Sequence, residues 1–129
     1  MTVVDTSALV AVLSREPAAG ACAAVLAEDE TLMMSAATLA ECLIVGGRRG
    51  FAAPMARIVE ELQIEISPVG RVAAVQAASA YERWGKGVHP AGLNFGDCFA
   101  YSLAMARRCP LLYVGRDFAQ TDVISAIPR

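Results

Sequence analysis

Short apolar runs alternate along the chain with longer segments whose apolar residues recur at three- and four-residue steps, the pattern of βα units on a parallel sheet. Thr2 to Val4 reads as the first strand, Ser7 to Leu13 as a helix ending before Pro17, and Ala18 to Ala27 as a second helix. Thr31 to Met34 is the second strand, followed by a helix that Ser35 can cap and on which Leu39, Leu43 and Gly46 share a face. Gly46, Gly47 and Gly50 end it. A helix over Ala52 to Leu62 leads to Ile64-Glu65-Ile66, whose alternation predicts a half-exposed edge strand closed by Pro68. Arg71 to Trp84 reads as a helix with Ala73, Ala77, Tyr81 and Trp84 on its packing stripe. Lys86 to Gly92 is a loop by composition; Asn94 then opens a helix with Phe95, Phe99, Leu103 and Ala106 as its apolar stripe. Leu111 to Val114 is the last apolar run, before a short turn opened by Asp117.

This order places four acids where strands give way to helices. Asp5 follows Val3-Val4, Glu41 lies a turn into the helix after the second strand, Asp97 is in the first turn after Asn94, and Asp117 follows the last strand. The carboxyl ends of the strands in an open parallel sheet form the crevice where ligands bind, so acids delivered there can converge. Singly, each has an ordinary explanation: Asp5 or Asp97 can cap a helix, Glu41 can be solvated, and Asp117 can open its turn. Asp97 lies about 200° round the helix from Phe95, off the expected apolar stripe. Jointly they point to a cation, because carboxylates ~5 Å apart repel by roughly 3 kcal/mol per pair at an effective dielectric of about 20.

Composition narrows the chemistry. The 129 residues are 56% hydrophobic and 19% charged, which suits one folded domain over residues 1–129 rather than a disordered chain. No apolar run is long enough for a membrane helix and no basic segment precedes Asp5, so a cytoplasmic protein is expected. Cys22, Cys42, Cys98 and Cys109 lack metal-ligand spacing and read as reduced, small apolar residues; His89, the one histidine, reads as a loop residue. A set of hard carboxylate oxygens selects Mg²⁺ or Mn²⁺ over Zn²⁺. Such an ion can activate water and neutralise a phosphoryl group, which makes phosphodiester hydrolysis the natural reaction.

With a formal net charge of −2, the whole-molecule field does not draw in polyanions. Arg48-Arg49 and Arg107-Arg108 each fall in the last turn of an expected helix, where the helix dipole alone accounts for them.

Val3-Val4-Asp5-Thr6-Ser7-Ala8, Ser35 to Glu41 (SAATLAE), His89 to Tyr101 (HPAGLNFGDCFAY) and Asp117 to Asp122 (DFAQTD) together resemble the PIN-domain ribonuclease toxins of VapBC toxin-antitoxin modules, over essentially the whole chain. The resemblance implies an α/β fold, a PIN-like α/β/α sandwich with a short central parallel sheet. It also implies a Mg²⁺- or Mn²⁺-dependent endoribonuclease that hydrolyses RNA by metal-activated water, leaving 5′-phosphate and 3′-hydroxyl ends. Asp5, Glu41, Asp97 and Asp117 would form the acidic cluster, with Asp5 and Asp97 on the metal, Thr6 or Ser7 supplying a hydroxyl and Asp122 supporting from the rim. Implied partners are RNA, a VapB-type antitoxin and a second copy of the chain, in a heterotetramer or larger assembly with the antitoxin. The first helix, apolar nearly all round, is then either buried internally or partly covered by another chain.

Arg116, immediately before Asp117, stands where many members of the family carry a small polar or acidic residue; it either weakens a second metal or meets the scissile phosphate. The rival reading is a catalytically weakened PIN-like module that binds a partner protein or RNA. A receiver-like domain would need adjacent acids after the first strand, and a haloacid-dehalogenase-like phosphatase an Asp at position 7, which is Ser7.

Overall fold

The computed structural model describes residues 1–128; Arg129, the last residue of the expected domain, lies outside the described residues. Its elements follow the order β1 (Thr2–Val4), α1 (Thr6–Leu13), α2 (Ala19–Glu28), β2 (Leu32–Ser35), α3 (Ala36–Arg49), α4 (Ala52–Glu61), β3 (Glu65–Ser67), α5 (Arg71–Trp84), α6 (Phe95–Arg107) and β4 (Leu111–Leu112), with a short 3-10 turn at Phe118–Gln120. The strands form one parallel sheet in the order β3-β2-β1-β4. The chain winds outward from β1 to β3 and then returns to the other side of β1. The reversal lies between β1 and β4, where an open α/β sheet opens its binding crevice.

Strand pleating sorts the core into two layers, because successive side chains face opposite sides of the sheet. Val3, Met33 and Leu111 pack on one side with Ala77, Ala80 and Trp84 of α5 and Cys98, Ala100, Tyr101 and Ala104 of α6. Val4, Leu32, Met34 and Leu112 pack on the other with Leu9 of α1, Cys22 of α2, Cys42 of α3 and Met55 of α4. Helices thus cover both faces, and β1, β2 and β4 are buried throughout, as strands between two helical layers must be. Among the described residues, no helix is long and apolar enough to cross a membrane. The α1 helix is mostly internal, with Ala8, Leu9, Val10 and Ala11 buried and Val12 and Leu13 half-buried.

Helix positions agree with the periodicity within a residue or two, except that α3 runs on through Gly46 and Gly47 and ends only at Gly50; the buried faces agree in part, with Gly46, Ala77 and Trp84 buried as expected. On α3 the buried residues are Thr38, Cys42 and Gly46, while Leu43 is 43% and Ile44 59% exposed. On α6 they are Cys98, Ala100, Tyr101, Ser102 and Ala104, and Phe95, expected in the core, is 75% exposed. On α5, Tyr81 gives way to Ala80. Close approach favours small side chains: a Cβ on Gly46 would meet the Met55 Cβ at 3.0 Å.

Candidate active site

Asp5 terminates β1 and caps α1. Its Oδ2 accepts from the Ser7 N–H at 3.1 Å and the Ser7 hydroxyl at 2.6 Å, while Oδ1, fully buried, has no partner among the described residues. The residue is 3% exposed. Ser7 Oγ in turn accepts the Val114 N–H at 3.0 Å, so the chain leaving β4 braces the carboxylate leaving β1 across the reversal point.

Glu41 arrives from α3, where the Ser35 cap sets the register: Ser35 Oγ accepts the Ala37 N–H at 3.2 Å. Its Oε1 accepts from the Thr6 hydroxyl at 2.5 Å, and the Cys42 thiol donates to that hydroxyl oxygen at 3.6 Å. Its Oε2 rests against α6, where a Cβ on Gly96 would come within 2.6 Å of it. A side chain there would require the Glu41 carboxylate to shift.

Asp97 is delivered by a capping box at the start of α6: the Asn94 N–H donates to Asp97 Oδ2 at 3.0 Å, and the Asp97 N–H donates to Asn94 Oδ1 at 2.9 Å. The expectation that Asp97 points away from the apolar stripe is met in an unexpected sense, since it is half-buried and turned toward the other acids. Asp5, Thr6, Ser7, Glu41 and Asp97 line one cleft of about 310 Å³, together with Val10, Glu16, Val45, Arg49 and Val114. Among the described residues, no three Asp, Glu, His or Cys side chains are grouped so as to hold a metal ion. They face a shared space.

Electrostatics reports the same convergence. Burial pushes the Asp5 carboxyl above its ordinary range; the Ser7 hydrogen bonds oppose this and Glu41 adds to it. Asp97 is pushed up to about 7, first by burial, with Asp5, Glu41 and Asp117 all adding repulsion against the lowering effect of Asn94. Asp117 acts from the margin: it is exposed, precedes the 3-10 turn without a side-chain cap bond, and is not among the cleft-lining residues. Arg116 beside it is exposed. Asp122 is engaged elsewhere, accepting from the Tyr101 hydroxyl at 2.5 Å and pairing with Arg83 at 3.6 Å. Glu16 and Arg49 enter the cleft with only faint sequence signals, a carboxylate before Pro17 and one arginine of a helix-end pair.

Cysteine and histidine chemistry finds no footing. The four cysteines are free, and burial pushes the Cys42 thiol up to about 12 and the Cys98 thiol to about 11, so neither offers a thiolate near neutral pH. His89 holds its loop, with Nδ1 accepting the Ala91 N–H at 3.0 Å and its ring edge-on to Trp84.

The donor set suits a hard cation. It offers carboxylate oxygens, one of them buried and unpartnered, and a glycine-lined cradle beside another.

Comparison with known proteins gives the family and the fold. The family model described as PIN domain matches residues 2–124. The chain is 41% identical to Ribonuclease VapC28 of Mycobacterium tuberculosis, with 98% of each chain covered, and 49% identical to Ribonuclease VapC36 of the same species, with 94% of this chain and 90% of the relative covered. A crystal structure of Mycobacterium tuberculosis VapC20, described as a Sarcin-Ricin loop cleaving toxin, superposes with a TM-score of 0.81 at 19% identity, covering 99% of this chain and 100% of that one. A chain of a toxin-antitoxin complex from Klebsiella pneumoniae gives 0.73 at 16% identity, covering 100% and 99%.

Proposed function

The chain belongs to the PIN-domain family, among its VapC ribonucleases, and on that basis we propose that it is a Mg²⁺- or Mn²⁺-dependent endoribonuclease, the toxin of a type II toxin-antitoxin pair. The observation that carries the reading is the unpartnered, buried Asp5 Oδ1 in a cleft shared with Glu41 and Asp97. Leaving a buried acceptor unpaired costs about 1–3 kcal/mol, more for a charged group. A cation taken up there removes that cost.

Asp5 and Asp97 would hold the ion, with Glu41 and Asp117 orienting water or a second ion. When bound, the metal would supply positive charge to a phosphoryl oxygen and make water a stronger acid. The chain's own part is preorganisation. Ser7 fixes Oδ2 of Asp5, Thr6 fixes Oε1 of Glu41, and the Asn94 N–H fixes Oδ2 of Asp97. Hydrolysis would leave 5′-phosphate and 3′-hydroxyl ends. Thr6 and Ser7 therefore support the site through the carboxylates they hold, whereas Asp122 acts outside it, through Tyr101.

The proposal extends to a single domain, a cytoplasmic setting, a VapB-type antitoxin and a homodimeric toxin core. To test the activity, partner-free protein is incubated with a mixed RNA pool in Mg²⁺ or Mn²⁺, in excess chelator, and as the Asp97→Asn variant. Metal-dependent cuts lost in the last two conditions support it. Cleavage that survives either one, or a wild-type protein that binds RNA without cutting, replaces the enzyme with a binding module.

A further inference from the structure

The cleft that gathers the acids also holds Arg49, and among the described residues that line it this is the only cation. Arg48 and Arg49 both occupy the last turn of α3, where the helix dipole accounts equally for either. Only Arg49 faces the cleft. Its guanidinium lies 4.0 Å from the Glu16 carboxylate, an ion pair too long to be a hydrogen bond, and no hydrogen bond among the described residues uses it. Both partners are substantially exposed, so the pair is weak and easily exchanged. Glu16 is held at the rim by its backbone, its N–H donating to the Ala11 carbonyl at 2.9 Å and its carbonyl accepting from the Ala19 N–H at 2.9 Å.

We propose that Arg49 is the RNA-positioning residue of this cleft: its guanidinium grips a phosphate neighbouring the one to be cut, and Glu16 holds it at the rim until RNA displaces the carboxylate. This inference rests on the ribonuclease reading. An ion held by Asp5 and Asp97 offsets the charge of the scissile phosphate alone. The next phosphate along the strand would face Asp5, Glu16, Glu41 and Asp97 with no counter-charge but Arg49. The planar guanidinium presents paired donors that match two phosphate oxygens, which an ammonium does not.

The arginine pair supplies its own control. Arg48→Gln and Arg49→Gln remove the same charge from the same helical turn, so the helix dipole and the overall field change alike. Cleavage of a short single-stranded RNA is measured for both variants, for Arg49→Lys and for Glu16→Gln, at two salt concentrations. Arg49→Gln is expected to raise KM about tenfold, the loss of one charge-assisted contact, with kcat nearly unchanged. Its log–log salt slope falls by about 0.7, the value for one single-strand phosphate contact. Arg49→Lys lies between it and wild type, Arg48→Gln matches wild type, and Glu16→Gln lowers KM. Equal effects of Arg48→Gln and Arg49→Gln, an unchanged salt slope, or a raised KM in Glu16→Gln overturns the assignment. Because wild-type cleavage is measured in the same series, failure of the ribonuclease reading shows separately, as no metal-dependent cutting by any form.

Discussion

Asp5 and Asp29 lie at opposite ends of β1 and are treated in opposite ways. At the amino end, Asp29 accepts from the Thr2 hydroxyl at 2.5 Å and the Thr31 N–H at 3.0 Å, and pairs with the Met1 ammonium at 3.2 Å. Burial acts to raise its pKa, but those partners prevail and hold the carboxyl below its ordinary range. At the carboxyl end, Asp5 spends one oxygen on Ser7 and leaves the other buried without a partner, so its carboxyl is raised. One acid is used up by the fold; the other is kept available at the fold's expense. That asymmetry is what would be expected of a site residue beside a structural acid, since function commonly costs stability where groups are held unsatisfied.

The sharpest way to break the contrast is Asp5→Asn. Cleavage should fall by about 10³-fold or more, the scale on which loss of an essential catalytic group is felt. The metal-free variant should unfold at the same or a higher temperature than wild type, because a buried charge cost is gone. In saturating Mg²⁺ the order should invert, since wild type alone gains ligand stabilisation. Melting curves with and without metal read both signs, and a variant less stable than wild type in chelator would make Asp5 an ordinary cap.

Gly96→Ala probes the cradle rather than a ligand. Alanine favours helix over glycine by up to about 1 kcal/mol, so the fold should be unharmed. The added Cβ would nevertheless come within 2.6 Å of Glu41 Oε2 and push the carboxylate off its seat, against the Thr6 bond that holds the other oxygen. Cleavage should drop about tenfold or more in a protein at least as stable as wild type. Full activity would show that the position of Glu41 does not matter.

Acid–base behaviour should divide along the same line. Burial and the neighbouring acids push the Asp97 carboxyl up to about 7 in the folded state, well above the ordinary carboxylate range of the unfolded chain, so between the two the native state binds more protons than the unfolded one. Stability of the metal-free protein should therefore fall as pH rises from about 4 through 7, and metal affinity should rise over the same range as the proton leaves. Asp29 has the opposite sign: its contribution is present above its unfolded pKa and lost as pH falls through the depressed folded value. Asp29→Ala should cost about 1 kcal/mol near neutral pH with cleavage unchanged, and Asp97→Asn should flatten the metal-free decline. Melting temperatures across pH for the three proteins decide it.

The succession of strands and helices, and the placing of Asp5, Glu41 and Asp97 near strand ends, were legible because they depend on local signals. Apolar runs, the Ser35 and Asn94 caps, and acids at element boundaries all act within a few residues of themselves. Which face of a helix is buried depends on how closely backbones approach, and here small residues fill that role. Hydropathy therefore put Leu43 and Phe95 inside beside Gly46, whereas packing kept Gly46 and took Cys42, Ala100 and Ala104. Cross-fold partnerships were equally hidden. Nothing near Asp122 announces Tyr101, and nothing near Ser7 announces the Val114 N–H, because both pairings exist only once the sheet has closed.

Arg116 offers the smallest effect and the finest test of whether nearby surface charge or buried partners set the difference between the two ends of β1. It is exposed, and no ion pair among the described residues uses it. An exposed charge works through water and salt, where interactions are worth well under 1 kcal/mol and fade beyond about 8 Å at physiological ionic strength. Arg116→Asn should therefore change both Mn²⁺ affinity and cleavage by less than about twofold. The buried Oδ1 of Asp5 would be as available for a cation in that variant as in wild type. A tenfold gain in affinity would instead mean that the guanidinium depletes the site of metal. A tenfold loss of cleavage at unchanged affinity would place it on the substrate, and the contrast between Asp5 and Asp29 would then owe as much to the surface as to the core.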